Sequence, residues 1–102
     1  LNLQNTPQLR NWLAENINGL GMKEASHFLR NIGKSNNKIA ILDRHILKNL
    51  LQAGIIKEQK ISSKTNYLEI EKKYFEFAHL LNIPPDDLDL LLWKKEHGTI
   101  FK

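Results

Sequence analysis

Two glycines, Gly19 and Gly21, stand between two stretches of sequence whose apolar residues recur at helical spacing. Glycine allows a tight backbone turn and a close approach of a ligand to the backbone, because it has no side chain to block either. Lys23 stands at the start of the second stretch. The pattern predicts a helix-hairpin-helix in which the first amides of the second helix can hold an anion. The competing interpretation is an ordinary turn between two helices.

Apolar residues three or four positions apart, interrupted by capping residues, glycines and prolines, continue along the chain. They predict an all-α fold of about five helices with no strand. The first three expected helices are Pro7 to Glu15, the segment after the hairpin to Gly33, and Asp43 to about Gly54. The fourth follows Ser62 and Ser63 and stops at Pro84 and Pro85, and the last starts around Pro85 to Asp87 and ends before Gly98. We expect Thr6 to cap the first helix and Asp43 the third. The run Ile39 to Leu42 is expected to be extended or buried.

With 102 residues, 41% of them hydrophobic, the chain can form one modest core, so we expect one domain. The side chains expected on the apolar faces of the five helices are Leu9, Trp12 and Leu13; Ala25, Phe28, Leu29 and Ile32; Ile46, Leu47, Leu50 and Leu51; Tyr67, Ile70, Tyr74, Phe77, Ala78 and Leu81; and Leu88, Leu91 and Leu92.

Composition restricts the classes of partner and site. Fifteen lysines and arginines against eleven acidic residues give a net charge of +4, which favours a polyanionic partner. The chain contains no cysteine, which excludes disulfides and thiolate metal sites. No apolar run reaches the roughly 20 residues that span a bilayer, and no signal peptide is visible, so we expect no membrane partner and a cytoplasmic location. Because the chain starts at Leu1 with little pattern, we expect an absent amino-terminal part.

Lys23 and Asp43 are the candidate catalytic residues. A lysine amine that is uncharged for part of the time can attack a sugar carbon, and a carboxylate can stabilise the cationic sugar or move a proton. Lys23 can alternatively be a solvated helix lysine or a simple phosphate contact. For Asp43, the roles of helix cap and catalyst are compatible.

The four histidines, His27, His45, His79 and His97, do not have the close spacing of a zinc helix motif, so we expect no histidine metal site. His45 lies two residues after Asp43 and is interpreted as a contact to a DNA phosphate or a support for the site. We expect His27 and His79 to be packing or surface residues.

Two segments carry a family resemblance: Ile17 to Gly33, INGLGMKEASHFLRNIG, and Ala40 to Leu47, AILDRHIL. Together they resemble the helix-hairpin-helix DNA glycosylase superfamily, and within it the mainly archaeal family of 8-oxoguanine DNA glycosylase/AP lyases. The resemblance runs from about Leu9 to Lys102 and corresponds to the carboxyl-terminal half of such an enzyme. It implies that residues 1–102 are the carboxyl-terminal catalytic portion of a prokaryotic DNA glycosylase.

The resemblance implies that Lys23 attacks C1′ of the damaged nucleotide, releases the base and forms a Schiff base that leads to β-elimination, with Asp43 as its partner. Gly19, Gly21 and His45 would hold DNA phosphate. The carbonyls of Ile17 and Leu20 would bind a monovalent cation, and no other cofactor is expected. The loop Lys34 to Lys38 is about two residues longer than is usual in the family.

At the carboxyl end, Trp93 and Lys102 match family positions that recognise the extruded oxidised guanine, and Asp89 would contact the base edge. Base flipping exposes C1′ and the base edge to the enzyme, and an indole face can stack on the flipped base. The alternative for Trp93 is a core aromatic residue beside Leu92.

The expected partner is double-stranded DNA that contains 8-oxoguanine. The alternative functions are a non-catalytic helix-hairpin-helix DNA-binding module and a basic helical protein-interaction domain. We expect the 102 residues alone to bind DNA weakly and salt-sensitively and to turn over little. An absent amino-terminal half or self-association would cover an exposed apolar surface.

Overall fold

The structure is a computed structural model that describes residues 4–97. Within this range the chain forms five α-helices and no strand, which confirms the predicted all-α class. The helices are Thr6–Asn16 (α1), Met22–Asn31 (α2), Arg44–Gln52 (α3), Lys64–Leu81 (α4) and Pro85–His97 (α5). α1 and α2 pack against each other across a short connection, as a helix-hairpin-helix requires.

Two compact units divide the described residues, one that ends at Ile41 and one that begins at Leu42. The first unit contains α1 and α2, and the second contains α3, α4 and α5. Within the second unit, α5 packs against both α3 and α4. The expectation of a single domain remains a prediction.

Helix α1 begins differently from the prediction. Asn5 is the N-cap, and its side-chain oxygen accepts a hydrogen bond from the amide of Gln8 at 3.0 Å. Thr6 lies inside the helix, where its hydroxyl donates to the carbonyl of Lys34 at 2.9 Å. The prediction of Thr6 as the cap is therefore wrong by one residue, because the Thr6 hydroxyl is used in a tertiary contact.

A buried arginine joins the two helices of the first unit. Arg10 is 0% exposed, and its Nη1 donates to Oγ of Ser26 at 3.0 Å. The Ser26 hydroxyl donates in turn to the carbonyl of Met22 at 2.8 Å, in the first turn of α2. The buried residues of α1 are thus polar, Thr6 and Arg10, and Trp12, expected in the core, is 42% exposed.

The apolar core elsewhere follows the predicted helix faces closely. The buried apolar side chains are Ala25 and Leu29 in α2; Ile46, Leu47 and Leu50 in α3; Tyr67, Ile70, Tyr74 and Ala78 in α4; Leu88 in α5; and, outside the helices, the run from Ile39 to Leu42 and Ile56. The predictions are wrong at the margins of these faces, where the exposed side chains are Phe28, Ile32, Leu51, Leu81 and Leu91. A burial pattern based on helical period alone is therefore too wide by one or two positions on each of these faces.

Two tyrosines of α4 fix neighbouring segments of the second unit. The hydroxyl of Tyr67 accepts from the amide of Leu42 at 3.2 Å, one residue before Asp43. The hydroxyl of Tyr74 donates to the carbonyl of Pro85 at 2.6 Å, at the start of α5. Both starting points, that of α3 and that of α5, are therefore attached to the longest helix.

Candidate functional site

The hairpin between α1 and α2 is closed by two backbone hydrogen bonds. The amide of Ile17 donates to the carbonyl of Leu13 at 3.0 Å, and the amide of Leu20 donates to the carbonyl of Ile17 at 3.1 Å. Gly19 lies between them with φ of +82°, in the left-handed region. This conformation is easy for glycine and unfavourable for most other residues.

Gly19→Ala is expected to destabilise the protein by about 1 kcal/mol, because alanine pays the left-handed backbone penalty. A Cβ at this position would meet nothing within 4 Å, so the loss is conformational rather than steric. Gly19→Asn is the matched control, since asparagine tolerates this conformation and should lose less. Urea unfolding of the three proteins measures the difference, and equal stability of wild type and Gly19→Ala would contradict it.

Gly21 is the N-cap of α2 and contributes no side-chain cap to the first amides of the helix. Its backbone is extended, with φ of −83° and ψ of −174°, a conformation that residues other than glycine also adopt. A Cβ on Gly21 would lie 2.8 Å from Oε1 of Glu24, whose carboxylate therefore lies beside the start of the helix. An anion that binds the first amides would share this positive helix end with the Glu24 carboxylate.

Lys23 lies in the first turn of α2, two residues after Gly21. Its side chain is 50% exposed, and Nζ lies 3.9 Å from Oε2 of the equally exposed Glu24. An exposed pair at this distance is weak, typically 0–1 kcal/mol. The amine is therefore accessible to a ligand that approaches the hairpin from solvent.

Asp43 is the N-cap of α3, as predicted. Its Oδ1 accepts a hydrogen bond from the amide of Ile46 at 2.9 Å. The side chain is only partly buried, so the carboxylate remains accessible. His45 lies in the first turn of the same helix and is also partly buried. The structure thus places a carboxylate and an imidazole at one helix start.

Helix α5 carries the two described residues of the predicted base-recognition set. Asp89 is partly buried, and Trp93, one turn later, is 47% exposed. This exposure is incompatible with the alternative of a buried core aromatic. Lys102, the third predicted member, lies outside the described residues.

The predicted residues thus form one group in each unit. Ile17, Gly19, Leu20, Gly21 and Lys23 lie together within a single seven-residue stretch of the first unit. The second unit contains the remaining described members, carried by two helices that pack against each other: Asp43 and His45 at the start of α3, and Asp89 and Trp93 on α5.

A contact that the sequence did not predict joins α3 and α5. Lys95 Nζ donates to Oδ1 of Asn49 at 3.0 Å, and Nδ2 of Asn49 donates to the carbonyl of His45 at 2.8 Å. Asn49 is 6% exposed and lies among apolar residues on the buried face of α3. The sequence did contain one indication of this contact, because Asn49 is a polar residue within the apolar face of its helix.

Two searches of the described residues were negative. No group of three or more histidine, aspartate or glutamate side chains among them could hold a metal ion. His27 and His79 are exposed, and Nδ1 of His27 lies 3.2 Å from the side-chain nitrogen Nδ2 of Asn31. In the same part of the chain, none of the helices is both long and apolar enough to cross a membrane.

Comparison with known proteins assigns the chain to a family. The family model described as 8-oxoguanine DNA glycosylase (Ogg-HhH) matches residues 1–83. The chain belongs to this family. The membership confirms the resemblance seen in the hairpin and in the segment around Asp43. The 8-oxoguanine DNA glycosylase family also supplies solved structures with the same helical arrangement.

Three relatives illustrate the match. The 8-oxoguanine DNA glycosylase/AP lyase of Fusobacterium nucleatum is 50% identical over 101 residues, which cover 98% of this chain and 46% of that protein. The crystal structure of the Methanocaldococcus jannaschii enzyme in complex with a 15mer DNA containing 8-oxoguanine matches with a TM-score of 0.82 and 38% identity, covering 96% of this chain and 47% of that one. The crystal structure of the Thermotoga maritima 8-oxoguanine DNA glycosylase matches with a TM-score of 0.81 and 38% identity. The match covers 93% of this chain and 45% of that one.

The chain therefore spans a little under half the length of the relatives that it matches. Residues 1–83, which the family model matches, include the hairpin, Lys23 and Asp43.

Proposed function

We propose that this protein is a base-excision repair glycosylase/AP lyase that removes 8-oxoguanine from duplex DNA. One observation carries the proposal: in a chain of this family, Lys23 lies half exposed in the first turn after the glycine hairpin. An accessible amine beside an anion-binding helix start is the arrangement that attack on a phosphate-anchored sugar requires.

The hairpin is proposed to hold the DNA backbone near the damaged nucleotide. The first amides of α2 point toward a bound phosphate and the helix dipole favours its charge, while Gly19 provides the turn. His45 is proposed to contribute a further phosphate contact from α3. Such contacts position DNA without selecting a base.

A monovalent cation at the carbonyls of Ile17 and Leu20 fits the hairpin chemically. The Ile17 carbonyl accepts one hydrogen bond, from the amide of Leu20, and its second lone pair can face a cation. A bound cation would add positive charge beside the phosphate. Apart from this ion, the proposal uses no cofactor.

The proposed reaction begins when the uncharged Lys23 amine bonds to C1′ of the damaged nucleotide. The bond between C1′ and the base breaks, and the base leaves with the electron pair and a proton. The bond between C1′ and the ring oxygen then opens to give a Schiff base with Nζ. Loss of a C2′ proton expels the 3′ phosphate by β-elimination. Asp43 is proposed to stabilise the positive sugar and to transfer protons.

Recognition of the oxidised base is proposed to use α5. The half-exposed Trp93 offers an indole face on which the flipped guanine can stack, worth about 1–3 kcal/mol per base. Asp89 is proposed to contact the base edge, and Lys102 to complete the recognition. We also propose a cytoplasmic location in a prokaryotic cell, where chromosomal DNA is the substrate of a DNA-repair enzyme.

Borohydride trapping on a duplex that contains 8-oxoguanine tests the proposal. One arm uses the 102-residue chain alone, and a second adds the residues of the Fusobacterium nucleatum relative that lie outside the match. We expect a covalent protein–DNA adduct in the second arm, little adduct in the first, and none on an undamaged duplex.

The two arms separate the alternatives. DNA binding without an adduct in either arm would favour the non-catalytic DNA-binding module. Absence of salt-sensitive DNA binding in both arms would favour a protein-interaction domain. Efficient excision by the chain alone would show that these residues suffice.

A further inference from the structure

Helix α5 contacts the rest of its unit through a buried apolar side chain near its start and through a polar contact near its end. Near its start, the carbonyl of Pro85 accepts a hydrogen bond from the hydroxyl of Tyr74, and Leu88 is 1% exposed. Among the described side chains of α5, only Leu88 is buried. Leu90, Leu91 and Trp93 are 53%, 39% and 47% exposed. Apolar packing therefore fixes the helix around Leu88, and Trp93 lies beyond that point.

Beyond Leu88, a polar contact joins the helix to α3. Lys95, two residues after Trp93, donates to the buried Asn49 of α3 at 3.0 Å. Asn49 is held in turn, because its amide nitrogen donates to the carbonyl of His45 at 2.8 Å. The amide oxygen is thereby oriented toward Lys95. A hydrogen bond from a charged donor to a preoriented acceptor is stronger than a neutral one.

We propose that Asn49 and Lys95 form a clamp that positions Trp93 for the flipped base. The inference rests on the proposed function and adds two positioning residues to it. The clamp connects the helix that begins at Asp43 and His45 with the helix that carries Trp93. It therefore sets the distance between the base-recognition residue and the residues at the start of α3.

The clamp should affect one substrate and spare another. An abasic site contains no base for Trp93 to stack on, so its cleavage depends on the hairpin, Lys23, Asp43 and His45 but not on Trp93. With the chain supplemented by the residues of the Fusobacterium nucleatum relative outside the match, Lys95→Met is expected to reduce kcat/KM for 8-oxoguanine excision about tenfold. Abasic-site cleavage should stay within about twofold of wild type. Lys94→Met removes the same charge from the adjacent position and is expected to change neither by more than about twofold.

Variants of Asn49 separate its two hydrogen bonds. Asn49→Asp retains an oxygen for Lys95 and loses the donor to His45, so excision should remain within about threefold of wild type. Asn49→Ala removes both and should reproduce Lys95→Met. The double variant should be no worse than either single variant, because both remove one interaction. Lys95→Arg, which retains a donor, should recover most of the excision.

Fluorescence reads the clamp without any activity. Trp12 and Trp93 are the two tryptophans, so Trp12→Phe leaves Trp93 as the single reporter. In that background, Lys95→Met should lower the steady-state anisotropy of Trp93, and Lys94→Met should not. If the supplemented wild type cleaves neither substrate, the proposed function fails, and the anisotropy of Trp93 still decides the clamp.

Three results would overturn the clamp. Equal losses on 8-oxoguanine and abasic DNA would identify Lys95 as a phosphate contact. An unchanged Trp93 anisotropy in Lys95→Met would show that the contact does not restrain the helix. Additive losses in the double variant would show that Asn49 and Lys95 act separately.

Discussion

Lys23→Gln is expected to abolish the borohydride-trapped adduct on 8-oxoguanine DNA while the protein still binds the duplex. Glutamine preserves most of the length and polarity of lysine but has no nucleophilic amine. Lys23 is half exposed, and its ion pair with Glu24 is an exposed contact at 3.9 Å. The substitution should therefore change the free energy of unfolding by less than about 1 kcal/mol.

The measurement compares trapping with DNA affinity for the same preparations, each supplemented by the residues of the Fusobacterium nucleatum relative outside the match. Lys38→Gln is the matched control, because it removes an exposed lysine from the same unit outside the hairpin. Its adduct yield should equal that of wild type. A persistent adduct in Lys23→Gln would assign the nucleophile to another amine and would remove the central element of the proposed mechanism.

Asp43→Asn is expected to lower the rate of base release by about 10²- to 10⁴-fold with little change in stability. In the native protein, Oδ1 of Asp43 accepts a hydrogen bond from the amide of Ile46 at 2.9 Å. The substitution removes the carboxylate charge, but the side-chain oxygen of asparagine can still accept this hydrogen bond. Asparagine is among the best N-cap residues. The structural role and the chemical role are thereby separated in one substitution.

Single-turnover excision and thermal unfolding, measured together, check this prediction. Asp43→Ala removes both the cap and the charge, so it should lose about 1 kcal/mol of stability in addition to the rate. Asp43→Ser keeps a capping oxygen without a carboxylate and should match Asp43→Asn. Wild-type excision by Asp43→Asn would reduce Asp43 to a helix cap.

The positions of the five helices were predictable from the sequence because their signals are local. Caps such as Asp43 and Ser63, together with prolines and the glycine hairpin, lie within a few residues of the helix ends that they determine. Apolar residues at helical spacing supply the rest. The error at Thr6 has the opposite origin, since its hydroxyl bonds Lys34, twenty-eight residues away.

Side-chain burial was less predictable, and α1 shows why. Trp12 belongs to the apolar face of the helix, yet it is 42% exposed while Arg10 is fully buried. Ser26 provides an acceptor for the Arg10 guanidinium from α2. A charged residue can be buried when a partner on another element satisfies it, and helical period carries no record of such a partner.

The candidate site divides along the same line. The sequence alone determined the hairpin, Lys23 directly after it, and the capping aspartate Asp43, because turn geometry and helix capping depend on neighbouring residues. Only the tertiary structure decided that Arg10 and Ser26 join α1 to the helix that carries Lys23, and that Asn49 and Lys95 join α3 to the helix that carries Trp93. Lys95 and Asn49 are forty-six residues apart, and contacts over such separations form only when packing brings their helices together.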